Sequence, residues 1–167
     1  MSKVRREVIA DGDFHEVSVA VLSDGSSPFL GLLSELEQGL WPDPAQDEFP
    51  DSWQPKMRAR LLAEFEELAD VGEPARDYDY LTDGIWELKI GNLRVTFYDT
   101  RGDGTWNKHE GRVIDSHWAA RRREFPDDFD EFVRVGHYFA KTSQKTLARD
   151  LEEAKRVREE DLSHDRN

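Results

Sequence analysis

The sequence predicts an α+β domain, with two N-terminal-half helices packed on a small antiparallel sheet and a third helix near the C-terminus. Three observations carry this expectation. Apolar residues alternate along Glu16 to Leu22, Leu81 to Tyr98 and Val133 to Phe139, the period of a strand. They recur at helical steps along Phe29 to Leu36, Met57 to Leu68 and Leu147 to Val157. Gly91-Asn92 lies between two alternating runs, as a tight turn joining two strands does.

Taken in order, the first strand places Val17, Val19 and Val21 on one face. Asp24-Gly25-Ser26-Ser27-Pro28 then turns the chain, and its serines can cap a helix running to about Gln38. Trp41 to Pro55 holds four of the seven prolines and reads as an inserted loop. Lys56 to Val71 forms a second helix, with Met57, Leu61, Leu62, Phe65 and Leu68 as its apolar stripe and Gly72 at its C-terminal cap. Glu73 to Asp79 is a loop, and Leu81–Ile90 with Leu93–Tyr98 is the hairpin. Asp99 to Glu110 is a polar loop, Arg112 to His117 a short strand, and Trp118 to Phe132 a helix in two pieces divided by Pro126. In the third strand Val133, Val135 and Phe139 are in register, and a helix spans Lys145 to Glu160. The expectation is one domain over residues 1–167, with insertions near 41–55 and 99–131.

Composition narrows the chemistry. The 167 residues carry 36 acidic against 23 basic side chains, a net charge of −13. The acid is concentrated in the first 80 residues, whereas 134–158 holds seven basic and three acidic side chains. Long nucleic-acid tracts are disfavoured by this balance, but a small basic site is not. Without cysteine, disulfides, thiol catalysis and cysteine-based zinc sites are excluded. No apolar run spans a bilayer and Met1 to Glu7 has no signal-like apolar stretch, so a cytoplasmic protein without membrane contact is expected.

Strand alternation sets Trp86, Leu88, Ile90, Leu93, Val95 and Phe97 on one face of the hairpin. Glu87, Lys89, Arg94, Thr96 and Tyr98 fall on the other, which is expected to be open. A carboxylate, two cations and a phenol there can bind a phosphodiester and move protons. The plainer alternative is a polar strand face in which Glu87 pairs across the hairpin. After the third strand come Lys141 and Lys145 among Thr142, Ser143, Gln144 and Thr146, at a helix start that favours anions; there the alternative is a Ser143 cap on an ordinary helix. His137 alternates with the core-facing Val133 and Val135, so an interior position is expected. His109 and His117 belong to no ligand cluster, so no metal is expected. Arg121-Arg122-Arg123 is expected to pair with neighbouring acids.

Gly84-Ile85-Trp86-Glu87-Leu88-Lys89, followed by Leu93-Arg94-Val95-Thr96-Phe97-Tyr98, resembles the hairpin motif of phage-derived, HigB-like toxins of the RelE/ParE superfamily. His137-Tyr138-Phe139-Ala140-Lys141-Thr142-Ser143-Gln144-Lys145-Thr146 is similar to that family's segment before its last helix, and Ala154-Lys155-Arg156 to its closing helix. Asp24-Gly25-Ser26-Ser27-Pro28-Phe29-Leu30-Gly31-Leu32-Leu33 resembles its first turn and helix. The chain departs from the pattern at Lys89, where the family has Arg, at Thr142, where it has Lys, and at Leu147, where it has Pro. The resemblance implies a RelE-like fold and a toxin that cuts messenger RNA, often on the ribosome, and is silenced by a helix-turn-helix antitoxin. RNA supplies its own nucleophile, so no cofactor is expected. On this reading Arg94 meets the phosphorane charge, Lys89, Lys141, Lys145 and Thr146 bind RNA, and Glu87, Tyr98 and His137 are candidates for proton transfer. The alternative is a non-catalytic module on the same scaffold that inhibits gyrase or only binds an antitoxin.

Overall fold

Each apolar stripe read from the sequence meets another across a central sheet. The computed structural model describes residues 4–42, 53–75, 77–114, 122–142 and 145–166. In chain order the elements are β1 (Val8–Asp11), β2 (Glu16–Val19), α1 (Pro28–Gln38), α2 (Gln54–Val71), β3 (Tyr78–Thr82), β4 (Ile85–Ile90), β5 (Leu93–Thr100), β6 (Arg112–Ile114), β7 (Arg122–Glu124), β8 (Phe132–Ala140) and α3 (Ala148–Ser163). The α+β class holds.

The helices start and stop where side chains dictate. Ser27 accepts a hydrogen bond from the Leu30 N–H at the start of α1, and Gly39 ends that helix with φ 70°. Helix α2 begins two residues earlier than its apolar stripe suggests. There the Gln54 side chain exchanges two 2.9 Å hydrogen bonds with the backbone of buried Trp41. Gly72 ends α2 with φ 92°, as expected.

The sheet is larger than expected and mixed. Its order is β1-β2-β8-β5-β4-β3, with β2 parallel to β8 and every other pair antiparallel. Parallel neighbours need a long crossover, and α1, α2 and β3–β5 supply it. Strand β3 was hidden in what reads as loop and strand start. Asp83 (φ 46°) and Gly84 (φ 81°) form a tight turn between β3 and β4, and a Cβ on Gly84 would lie 2.4 Å from the Asn107 carbonyl oxygen. Where a helix was expected before Phe132, β7 instead pairs with β6 as a two-stranded ribbon. Phe125 and Phe129 follow and pack against Trp86 and Phe97, so the 99–131 segment contributes to the core. Residues 115–121, including His117 and Arg121, lie outside the described residues.

Helices α1 and α2 cover one sheet face, burying Phe29, Leu32, Leu36, Leu61, Phe65 and Leu68 against Val17, Val19, Leu88, Val95, Phe97 and Val135. Helix α3 packs on the other face, with Ala154, Val157 and Leu162 against Ala20, Ile85 and Tyr98. The face expected to be open is therefore partly roofed. No helix among the described residues is long and apolar enough to cross a membrane.

Candidate active site

The hairpin register places Glu87 opposite Thr96 and Lys89 opposite Arg94, so these four share the α3 side of the sheet, as alternation predicts. The expected exposure is wrong, however. Glu87 is only 2% exposed and Thr96 is buried. Burial pushes the Glu87 carboxyl up to about 7, against the opposing pull of Arg94, Lys141 and Lys89. Both Arg94 and Lys141 thus act on the same carboxylate. Their charges gather on one side of the molecule.

The contacts of this group are incomplete. Arg94 Nη1 donates to the Gly91 and Leu93 carbonyl oxygens, at 2.6 and 3.1 Å, which ties the guanidinium to the hairpin turn. Its Nε lies 3.9 Å from Glu87 Oε1, too far for a hydrogen bond. Arg94 Nε and Glu87 Oε2 are both buried, and neither has a hydrogen-bond partner among the described residues. Buried polar atoms left in this state are costly unless a ligand or water completes them. Lys89 pairs with Asp79 on β3, the residue directly opposite Glu87. The Lys141 N–H donates to the Asn92 carbonyl oxygen at 2.7 Å, which fixes the residue after β8 beside the hairpin turn.

His137 is not where simple alternation puts it. Between Val135↔Phe97 and Tyr138↔Val95 the pairing slips by one residue, so Gly136 and His137 together oppose Thr96. This β-bulge reverses the parity of the strand beyond it. Val133 and Val135 keep the core face, whereas His137 and Phe139 move to the side of Glu87 and Arg94; Phe139 pairs directly with Arg94. The two rings stack with centroids 5.6 Å apart. Thr96 Oγ1 donates to the His137 carbonyl oxygen at 2.8 Å, and His137 Nε2 lies 3.2 Å from Asp150 Oδ1 on α3. The expected interior histidine is a half-buried residue on the site face.

Tyr98 must be removed from the candidate proton carriers. It is 1% exposed beneath α3, and its hydroxyl donates to Asp161 Oδ2 at 2.7 Å. Burial and the Asp161 carboxylate push the phenol well above its ordinary range. The helix that was expected from Lys145 starts at Ala148, with Leu147 at the cap position and no side-chain cap. Hydroxyl-bearing and β-branched residues such as Thr146 disfavour the helix interior. Ser143 lies outside the described residues. Lys145 is exposed and Thr146 half-buried on the approach to α3. Asp150 already occupies the first turn of α3, so this helix start does not present an uncompensated anion site.

A second polar centre joins the 99–131 segment to the sheet, and sequence reading missed it. Asp99, at the end of β5, is fully buried. Its Oδ2 faces His109 Nδ1 at 2.7 Å and accepts from the Asp130 N–H at 2.6 Å. The Trp86 indole donates to the His109 carbonyl oxygen at 2.8 Å. Burial raises the Asp99 carboxyl to about 6. Asp99 is the acid one position beyond the recognised strand pattern, and nothing in its spacing pointed to His109. His109 borders a cleft of about 470 Å³ between 108–112 and 124–128. Among the described residues no three His, Asp or Glu side chains gather as metal ligands. Arg123 pairs with Glu110 and lies over the Tyr80 ring, as expected of a cation among acidic neighbours.

The arrangement around Glu87 can therefore accept a proton near neutral pH, hold an anion with Arg94 and Lys141, and offer an imidazole two strands away, across β5. No protein-family model matches the chain, and no curated protein matches it.

Proposed function

We propose that the chain is a RelE-like, HigB-type toxin and an endoribonuclease that cleaves messenger RNA through attack by the ribose 2′-hydroxyl. The single observation that carries this reading is that Glu87 Oε2 and Arg94 Nε are both buried without a hydrogen-bond partner among the described residues, on side chains that approach each other to 3.9 Å through Glu87 Oε1. A hydroxyl both donates and accepts. Placed against this pair, it gives its hydrogen to Glu87 and accepts from the Arg94 N–H, so both protein atoms are satisfied at once.

In the proposed reaction Glu87 takes the 2′-hydroxyl proton as the oxygen attacks phosphorus. Arg94 and Lys141 meet the negative charge of the phosphorane, with Lys89 beside them once it leaves Asp79. The P–O5′ bond breaks, and protonated His137 gives the 5′-oxygen its proton. The products are a 2′,3′-cyclic phosphate and a 5′-hydroxyl; Glu87 ends protonated and His137 neutral. Acid–base catalysis contributes about 10²–10⁴-fold and a charge-stabilising donor about 10²–10³-fold. Because the substrate carries the nucleophile, the step needs no metal or organic cofactor. Lys145 and Thr146 lie on the approach to α3 and are assigned to the RNA strand. A helix-turn-helix antitoxin is the proposed partner, and the ribosome a proposed place of action.

The test is cleavage of messenger RNA by the purified chain, alone and with translating ribosomes, beside Glu87→Gln and Arg94→Lys. Each variant is expected to lose at least about 100-fold in rate. A non-catalytic reading, gyrase inhibition or antitoxin binding alone, is favoured by two contacts: Lys89 on Asp79, and Arg94 Nη1 on backbone carbonyls. Growth arrest on induction with intact messenger RNA would decide for it.

A further inference from the structure

His137 reaches the site face only because of the bulge at Gly136 and His137, and bulges beside functional sites commonly re-aim a side chain. The bulge is held: its carbonyl accepts from Thr96, the residue opposite Glu87. Phe139 stacks on the ring from the same strand, at an interplanar angle of 20°. What remains free is rotation within that plane and the choice of protonated nitrogen. The carboxylate in hydrogen-bond reach is Asp150, at 3.2 Å from Nε2, with each side chain about 15% exposed; Glu153, one turn on, acts on the ring only through its charge. A carboxylate accepts hydrogen bonds and does not donate them, so it selects the N–H form of the nitrogen it faces.

We infer that Asp150 is the positioning residue for His137: it holds the imidazole through Nε2–H and leaves Nδ1 to pass a proton to the leaving 5′-oxygen. This rests on the nuclease reading of the Glu87 cluster. Carboxylates that orient a histidine also stabilise its protonated form without taking the proton themselves. On this assignment the proton leaves Nδ1, the P–O5′ bond electrons receive it, and Nε2–H stays bonded to Asp150 throughout. A merely structural role is the competing explanation, because an acid in the first turn favours any helix.

The two are separated by measuring the full-length chain and its Asp150→Asn variant in three ways: melting temperature, single-turnover RNA cleavage, and the His137 tautomer by long-range ¹H–¹⁵N NMR of the neutral ring. The wild type is expected in the Nε2–H form. In Asp150→Asn the amide can donate as well as accept, so the ring is expected to shift toward Nδ1–H. The cleavage rate constant should fall about 10-fold or more, with little change in KM. His137→Ala should lose at least as much rate, and Asp150→Asn combined with it should lose no more than His137→Ala alone. A cleaving chain whose Asp150→Asn variant keeps the wild-type tautomer or the wild-type rate constant overturns the inference, whatever its melting temperature does. A wild type that cleaves no RNA overturns the nuclease reading instead, and a wild-type ring in the Nδ1–H form overturns the assignment to Asp150 in either case.

Discussion

Asp161 and Glu87 are both buried acids on the α3 side of the sheet, and the fold treats them in opposite ways. Asp161 is saturated: Oδ1 accepts from Arg6 Nε and the Val21 N–H, and Oδ2 accepts from the Tyr98 hydroxyl and Arg134 Nη1. Arg6 and Arg134 also bridge to Asp165, so two cations and two acids lock the end of α3 to β8 and to the chain before β1. Glu87 Oε2 has no hydrogen-bond partner among the described residues; the Arg94 guanidinium lies 3.9 Å from Oε1, and Lys141 and Lys89 act on the carboxylate through their charge. Completed contacts of the first kind stabilise a buried ion pair; incomplete ones cost stability. One half of the sheet face is consumed in fastening a helix, and the other retains a carboxylate poised to titrate near neutral pH.

The sharpest way to break the comparison is to neutralise each acid in turn. Asp161→Asn should cost about 3–5 kcal/mol, measured by urea unfolding at pH 7, because Arg6 and Arg134 lose their shared counter-charge. Glu87→Gln should do the reverse above neutrality. The Glu87 carboxyl titrates at about 7 in the native chain against an ordinary 4.5, so the folded state binds its proton more tightly than the unfolded state. Its contribution to stability is full below the unfolded value and is lost as pH rises through about 7. Asp99 follows the same sign through about 6. Wild-type stability should therefore decline from pH 5 to pH 8.5. Glu87→Gln should remove roughly 1–3 kcal/mol of that decline and be the more stable protein at pH 8.5. If the chain cleaves RNA as proposed, the rate should show a rising limb through about pH 7, of opposite sign, as Glu87 becomes a base. Equal pH profiles for wild type and Glu87→Gln unfolding would contradict the contrast.

Gly84→Ala offers a smaller effect, about 1–2 kcal/mol by thermal unfolding, because the turn needs positive φ and the Asn107 carbonyl leaves no room for a Cβ. Smallest is the salt response. With three or four cations meeting phosphates, the logarithm of RNA affinity should fall with a slope of roughly −2 to −3 per log unit of salt.

Much of this was legible residue by residue. The α1 and α2 stripes, the Ser27 cap, the Gly72 cap, the Gly91-Asn92 turn and the facing of Glu87 with Arg94 all follow from local period and turn chemistry. The failures have physical causes. Asp83-Gly84 is a strong hairpin signal, but it lies inside an alternating run whose period continues across it and masks β3. The four residues of β1 are too few to show a period. The bulge at Gly136 and His137 exists only relative to Thr96, so no single-strand pattern reports it, and His137 and Phe139 were put on the wrong face. Burial of Tyr98 depends on α3, which packs on the second face of the sheet. The Asp99–His109 contact joins residues whose strand and loop meet only after folding.

In the proposed reaction Glu87 and Arg94 together receive a ribose hydroxyl. The most direct test is end-group analysis of RNA fragments made by the purified chain at pH 7.5, with one oligonucleotide carrying a single 2′-deoxy residue at the mapped cleavage position. The account predicts 2′,3′-cyclic phosphate and 5′-hydroxyl ends on the all-ribose strand, and no cut at the deoxy position. Cleavage that persists there, or fragments bearing 5′-phosphates, would contradict it.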